Sequence, residues 1–312
     1  MITIFTPTYN REKLLKRCYE SLEKQSDKNF KWLVIDDGSK DDTKKMIEKI
    51  KEKATFEIKY IYQKNGGKHR AHNKAVDICD TNYFLILDSD DVLDSKCIEI
   101  LNGKIKEIDK NGNVSGVLGN RFYYNNKKCI GTPIPNLKYS TGLELYQKYN
   151  FNGDTLRLYK TCILKKNLFP EIEGEKFVYE NVVWDKIDTE YKMLLIKDKL
   201  YYCEYQEDGY TNRSEQLKIN NPVGYSLFLK SASETAVSLN KKINWTLLYI
   251  IWCRHMKING LKNYKNRILY VLLYPCSLVL EIVKLPKFFF KLFELNRGEK
   301  NEWSCFSNNN NI

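Results

Sequence analysis

The chain has 312 residues, 43% of them hydrophobic and 13% aromatic, enough to bury a sizeable core in one large domain or one domain with an appendage, and too apolar for a disordered protein. Its nine cysteines form no CxxC pair, which argues against a disulfide framework or zinc ribbon and for buried or free thiols in a reducing compartment. Of the net charge of +12, the stretch from Lys241 to Lys300 alone supplies +9, from twelve Lys/Arg and three Glu. A nucleic-acid surface would spread its charge through the folded domain, so no nucleic-acid partner is expected; a basic, aromatic tail suits an anionic surface.

Met1–Asn10 reads directly as a strand, Ile2–Phe5, with no signal-peptide pattern before it. The expected location is therefore the cytosol or the cytosolic face of a membrane. The loop Thr6–Arg11 (TPTYNR) follows, and Asn10 is placed to cap a helix from about Arg11 to Gln25. A second strand, Phe30–Ile35, ends in Asp36-Asp37-Gly38-Ser39; a helix spans about Asp41 to Lys51. A third strand, Phe56–Tyr62, ends at Gln63–Asn73 (QKNGGKHRAHN), which leads into a helix through Ala75–Cys79. The fourth, Tyr83–Leu87, is a short unalternating apolar run, as in a strand buried on both faces of a parallel sheet. Alternation at this spacing predicts β-α-β units with right-handed crossovers, and so loops gathered on one edge of the sheet.

At that edge Asp88, Asp90 and Asp91 crowd together directly after the fourth strand. Like charges so close need a cation, and a hard divalent ion, Mn²⁺ or Mg²⁺, completes its shell with substrate phosphates. One such cluster alone is equally an Asp-rich turn capping a helix from about Ser95. Together with the second carboxylate loop and the Gly-Gly-Lys loop it describes a nucleotide site, in which Asp37 can accept from a base N–H and Lys68 can meet a base edge or phosphate.

TPTYNR, VIDDGS and LDSDD, in this order and at these intervals, resemble the family 2 glycosyltransferases of the GT-A fold, over about Met1 to Gly224. The resemblance implies an α/β, Rossmann-like fold with a mostly parallel central sheet, a nucleotide-sugar donor, most often a UDP-sugar, and a DxD motif whose aspartates hold ribose and metal. By matching positions it assigns donor binding to Thr6, Pro7, Tyr9, Asp37, Asp88 and Ser89, and metal binding to Asp90 with Asp88. Many members carry Arg where this chain has His72, so the corresponding contact falls to Lys68 or His72. NGGKHRAHN is similar to a subgroup from bacterial capsule and surface-polysaccharide clusters.

The second half should supply the acceptor side. Val114–Leu118 reads as a strand, Arg121–Ile130 as a hairpin-like excursion through Asn125-Asn126, and Thr155–Tyr159 as another strand. Within Gly174–Ile187 the resemblance assigns the catalytic base to Glu180, at the head of a helix, with Asp185, Glu175 and Asp154 as the other contenders. Inverting transfer needs one such carboxylate to take the acceptor proton. Glu207–Ser214 is similar to a loop that closes over the donor, with Arg213 reaching the diphosphate.

From about Tyr225 the pattern is helical. The apolar run Ile268–Leu280 has thirteen residues and contains Pro275, short of the twenty or so a spanning helix needs. In Ile282–Phe293, Lys284, Lys287 and Lys291 share one face of a helix rich in Phe and Leu, the make-up of a membrane-interface helix. The expected division is a catalytic domain over 1–224, with a nucleotide half (1–120) and an acceptor half (121–224), a basic membrane-associating extension over 225–300, and a disordered tail over 301–312. The expected activity is glycosyl transfer onto a polyprenyl-diphosphate-linked glycan for a capsule, exopolysaccharide or O-antigen. The alternatives are a protein or soluble acceptor, or a non-enzymatic basic binding protein; a nucleotidyltransferase would need a Gly-rich first loop, which TPTYNR is not.

Overall fold

The structure, a computed structural model, describes residues 1–204, 206 and 213–283, without the side chains of 281–283. It opens with β1 (Ile2–Thr8), α1 (Glu12–Glu23), β2 (Phe30–Asp36), α2 (Thr43–Lys51), β3 (Glu57–Tyr62), α3 (Lys68–Ile78) and β4 (Tyr83–Ile86). These four strands pair in parallel in the order β3-β2-β1-β4. Their apolar runs do not alternate because both faces are covered. Ile4, Trp32, Val34 and Leu85 pack with Leu15, Cys18 and Leu22 of α1, while Phe5, Ile35, Phe84 and Ile86 pack with Ala71, Ala75 and Val76 of α3.

The next stretch holds β5 (Val92–Leu93), α4 (Cys97–Ile108), β6 (Val114–Asn120), β7 (Phe122–Tyr123), β8 (Tyr139–Ser140), α5 (Gly142–Lys148), β9 (Thr155–Lys160), α6 (Thr161–Lys165), α7 (Asn181–Asp188), β10 (Lys192–Ile196) and β11 (Tyr201–Cys203). The main sheet has eight strands, ordered β3-β2-β1-β4-β9-β6-β10-β8; a small second sheet is β5-β11-β7. β9 runs antiparallel to both its neighbours, β4 and β6. It lies so close that a Cβ at Gly116 would fall 1.8 Å from the Leu158 carbonyl oxygen. β6 therefore runs in the same direction as β1 and β4, and its C-terminal end opens on the same edge. The expected hairpin after Arg121 is present, with Tyr123 N donating to Lys128 O and Lys127 N to Tyr123 O.

The chain ends in α8 (Ser214–Asn220), α9 (Pro222–Glu234), α10 (Leu239–His255), α11 (Gly260–Asn263) and α12 (Arg267–Val283). The boundary expected at Gly224 falls inside α9, because Pro222 starts that helix at the position where its missing N–H costs nothing. The helices share an apolar cluster around Leu229, Tyr249, Ile250, Trp252 and Tyr264, and it continues towards the sheet through Tyr225 and Phe228, whose rings meet Tyr179. The basic segment Ile282–Phe293 lies, from Lys284 onward, outside the described residues, as does the tail 301–312. Among the described residues no helix is long and apolar enough to cross a membrane.

Candidate active site

The C-terminal ends of β1, β2, β4 and β6 surround a cavity of about 940 Å³, closed on its far side by the segment Lys176–Asn181. The first two loops are tied together there. Asn10, expected to cap α1, has φ +52; its backbone N donates to Ser39 Oγ at 2.9 Å, and its Oδ1 accepts from Lys40 N at 2.8 Å. Asp41 instead receives the Glu12 N–H at the head of α1.

Asp37 lines the cavity, but its carboxylate is already saturated. Oδ1 accepts from Gln63 Nε2 at 2.7 Å and Gly66 N at 2.8 Å; Oδ2 accepts from Gly67 N at 2.7 Å and Asn65 Nδ2 at 3.2 Å. With every lone-pair direction taken, its work in this conformation is to shape the Gly66–Gly67 turn, and a base N–H would have to displace one of these donors. Gly67 is there because φ is +96 and a Cβ would lie 1.8 Å from Lys176 O, where the segment before α7 touches this turn.

The turn delivers Lys68, the first residue of α3, into the middle of the cavity. Its Nζ lies 2.6 Å from Asp88 Oδ1 and 2.8 Å from Glu180 Oε1. Burial works against the charge on Lys68, but the two carboxylates hold it well above the usual lysine range. Glu180 shows the reciprocal effect. Burial alone would raise its carboxyl, yet Lys68 more than offsets this and holds it well below the usual carboxylate range. Glu180 sits at the N-cap of α7, with Trp184 Nε1 donating to its Oε2 at 3.3 Å.

Arg121 closes the other side of the aspartate turn. Its Nη1 is 3.4 Å from Asp88 Oδ2 and 3.5 Å from Asp91 Oδ2, and its guanidinium rests 4.3 Å above the Tyr201 ring. Despite Arg121, burial pushes the Asp91 carboxyl up to about 7. Asp90 is also raised, by burial and then by Asp88, and its carbonyl accepts from Arg17 Nη2 at 2.6 Å. The charge at Asp90 is thus incompletely balanced, the condition under which a bound cation is favoured. Among the described residues no group of three or more His, Cys, Asp or Glu side chains could hold a metal alone. The residues present fit an open site, in which Asp90 and Asp88 supply the protein oxygens and a ligand's phosphates the rest.

The remaining expected residues divide clearly. Pro7, Tyr9, Ser89, Asp154 and Arg213 line the cavity. Thr6 does not reach it: the residue is fully buried and its Oγ1 accepts from Trp32 Nε1 at 3.0 Å. His72 lies at the cavity floor but is 3% exposed, boxed by Phe5, Phe84, Phe169 and Trp184. Burial pushes it down to about 3, so it is neutral at physiological pH and cannot replace an arginine's charge. Glu175 leaves the contest for the base, because both its oxygens accept from the head of α9, Val223 N at 2.8 Å and Gly224 N at 2.7 Å. Asp185 is 6% exposed and bonded to Asn181, away from the cavity lining. Of the Glu207–Ser214 loop, only Arg213 and Ser214 lie within the described residues.

Arg121 and Arg17 went unassigned in the sequence. For Arg121 a signal existed: it opens the excursion that follows the strand read at Val114–Leu118. Arg17 gave none, since on α1 it looks like any solvated helix cation.

A mostly parallel sheet with the antiparallel strand β9 set within it and the antiparallel β8 at its edge, and an aspartate turn opening on a cavity at the strand ends, defines a GT-A enzyme. A model of the family described as glycosyl transferase family 2 matches residues 3–168, and the chain belongs to that family; it is a glycosyltransferase. The chain is similar to glycosyltransferase GlyG of Streptococcus pneumoniae serotype 4, 27% identical over 219 residues covering 64% of this chain and 69% of GlyG. It is also similar to the GalNAc(5)-diNAcBac-PP-undecaprenol beta-1,3-glucosyltransferase of Campylobacter jejuni, 24% identical over 252 residues, 77% of this chain and 76% of that one. Among solved structures, Staphylococcus aureus TarS 1–349 in complex with UDP-GlcNAc shares the fold with a TM-score of 0.60 at 17% identity, covering 98% of this chain and 94% of that chain.

Proposed function

We propose that this glycosyltransferase inverts the anomeric carbon of a UDP-sugar while joining it to a hydroxyl of a lipid-linked glycan, as a peripheral protein of the cytosolic membrane face in surface-polysaccharide synthesis. The observation that carries the transfer chemistry is the Lys68 bridge, which sets Glu180 across the cavity from the aspartate turn. The lipid-linked acceptor draws on the Campylobacter relative, whose name carries an undecaprenol-linked acceptor.

In the step, the acceptor oxygen attacks the anomeric carbon as the bond from that carbon to the diphosphate oxygen breaks. The electron pair leaves with the diphosphate, and the hydroxyl proton passes to Glu180. The diphosphate enters beside Lys68, Arg121 and Arg213, and its negative charge competes with Glu180 for Lys68. Donor binding thereby frees the base it needs. A divalent ion, Mn²⁺ or Mg²⁺, held by Asp90 and Asp88 would neutralise charge on the departing diphosphate. Tyr9 and the loops clasped by Asn10 border the space for the nucleoside.

Calorimetric titration of UDP, GDP, dTDP and CMP, with and without Mn²⁺, tests the donor site. The expected result is selective UDP binding strengthened by Mn²⁺ and lost in Asp90→Ala, with Glu180→Gln still binding UDP but transferring no sugar. Folded protein that binds none of the four overturns the reading.

A further inference from the structure

The inner face of α12 is firmly seated. Tyr270 and Ser277 are buried, Leu273 and Leu280 pack on the helical cluster, and Arg254 Nη1 donates to Ser277 Oγ at 3.0 Å. The outer face is the reverse of an ordinary solvated surface. Ile268 is 76% exposed, Leu272 67%, Val279 61%, Val271 57% and Leu278 44%. At 3.6 residues per turn these five aliphatic side chains fall within an arc of about 120°. They form one apolar ridge along the helix rather than scattered exceptions.

The charge around this ridge is predominantly positive, Glu281 being the one carboxylate in the sequence between Lys257 and Lys291. Lys257, Lys262, Lys265 and Arg267 are exposed at or before its amino-terminal end, and the sequence just past its other end continues with Lys284, Lys287 and Lys291. A second copy of this chain would bring the same positive charge to meet it; an anionic lipid surface supplies the opposite one. An aliphatic ridge flanked by lysines matches a helix lying in the plane of a bilayer interface, its apolar side chains below the headgroups and its cations among them.

We propose that the outer face of α12 docks the enzyme on anionic lipid headgroups, with Ile268, Val271, Leu272, Leu278 and Val279 inserted between them. The proposal deepens the peripheral-membrane part of the function above and rests on that reading for its purpose. It assigns the contact to a folded helix packed on the catalytic half through α9 and α10, so that docking fixes the whole enzyme at the surface.

The test floats the full-length chain, without nucleotide, on vesicles of phosphatidylcholine alone and on vesicles that also contain phosphatidylglycerol. Wild type is expected to partition at least tenfold more strongly onto the anionic vesicles. Leu272→Gln with Leu278→Gln should lower that partitioning tenfold or more, with thermal unfolding unchanged because both side chains face outward. Lys262→Gln with Lys265→Gln should weaken it several-fold and flatten its salt dependence. Wild type that ignores anionic vesicles overturns the proposal, whether it stays monomeric or self-associates through this face. Undiminished vesicle binding by the Leu272/Leu278 variant also overturns it, by moving the contact elsewhere. UDP titration of the same preparations keeps the readings apart: a wild type that floats but binds no UDP defeats the UDP-sugar reading and leaves the docking surface standing.

Discussion

Lys68 and Glu180 meet at 2.8 Å although they lie 112 positions apart, at the heads of α3 and α7, and the same ammonium also touches Asp88. One cation thus joins the first aspartate of the turn to the base we propose. In this contact Lys68 holds the Glu180 carboxylate ionised.

Replacing Lys68 by Met leaves Glu180 buried without its main counter-charge, so its carboxyl pKa rises. The base must be ionised to act. The acid limb of the kcat/KM profile should therefore move to higher pH by about one unit or more, and the rate at neutral pH should fall about 10²-fold. A pH–rate profile measures this; an acid limb that stays in place assigns the base to another group.

Gly67 packs directly against the segment before α7. In Gly67→Ala the new methyl meets the Lys176 carbonyl and the φ of +96 is strained, a combination worth about 2 kcal/mol or more. Urea unfolding should show that loss, with UDP affinity reduced because the Asp37-bonded turn is displaced. Unchanged stability would mean that the segment Lys176–Tyr179 yields readily.

Asp185 and Asp188 are each pushed up to about 6, burial being the main cause. The unfolded carboxyl titrates near 3.9, so between about pH 4 and 6 the folded state binds more protons than the unfolded one. Stability from these two groups is therefore greatest at the acid end and falls as pH rises through that window, levelling off above it. Asp185→Asn should raise the melting temperature at pH 7.5 and reduce the slope between pH 4 and 6. Calorimetric scans at several pH values decide it, and a slope identical to wild type would refute the assignment.

Tyr264 is buried in the helical cluster, where its hydroxyl bonds to Ser233 and, at 2.7 Å, to Thr246. Tyr264→Phe should cost about 1 kcal/mol, since Ser233 and Thr246 keep their own bond. Ending the chain at Leu261 removes Tyr264 and Tyr270 together. That truncation should lower the melting temperature sharply rather than release an intact catalytic core; a soluble fragment with wild-type stability counts against the coupling.

How much of this was legible in the chain depends on the kind of interaction. The first four strands and their ends could be read because an apolar run buried on both faces leaves a local mark, as Tyr83–Leu87 does. The aspartate turn and Glu180 were legible as chemistry and as family positions. The roles of Asp37 and Glu175 were not, since their partners, Gly66–Gly67 and Val223–Gly224, are supplied by the fold and leave no pattern around the carboxylate itself. Thr6 was drawn into the donor set by its neighbours, although Trp32 claims its hydroxyl. Asn221-Pro222 and Gly224 look like punctuation for a related reason, but Pro222 begins α9 and a Cβ at Gly224 would lie 2.5 Å from Phe177 O.

The antiparallel strand β9 lies between β4 and β6, bonded to both. During synthesis the first 120 residues therefore leave the ribosome with two strand edges unbridged, and they stay so until Lys160 has been made. The first 120 residues are not a module that finishes folding before the next forty are made. Any shuffling of donor and acceptor halves between relatives must carry this strand across the joint with the partner for which its register was shaped.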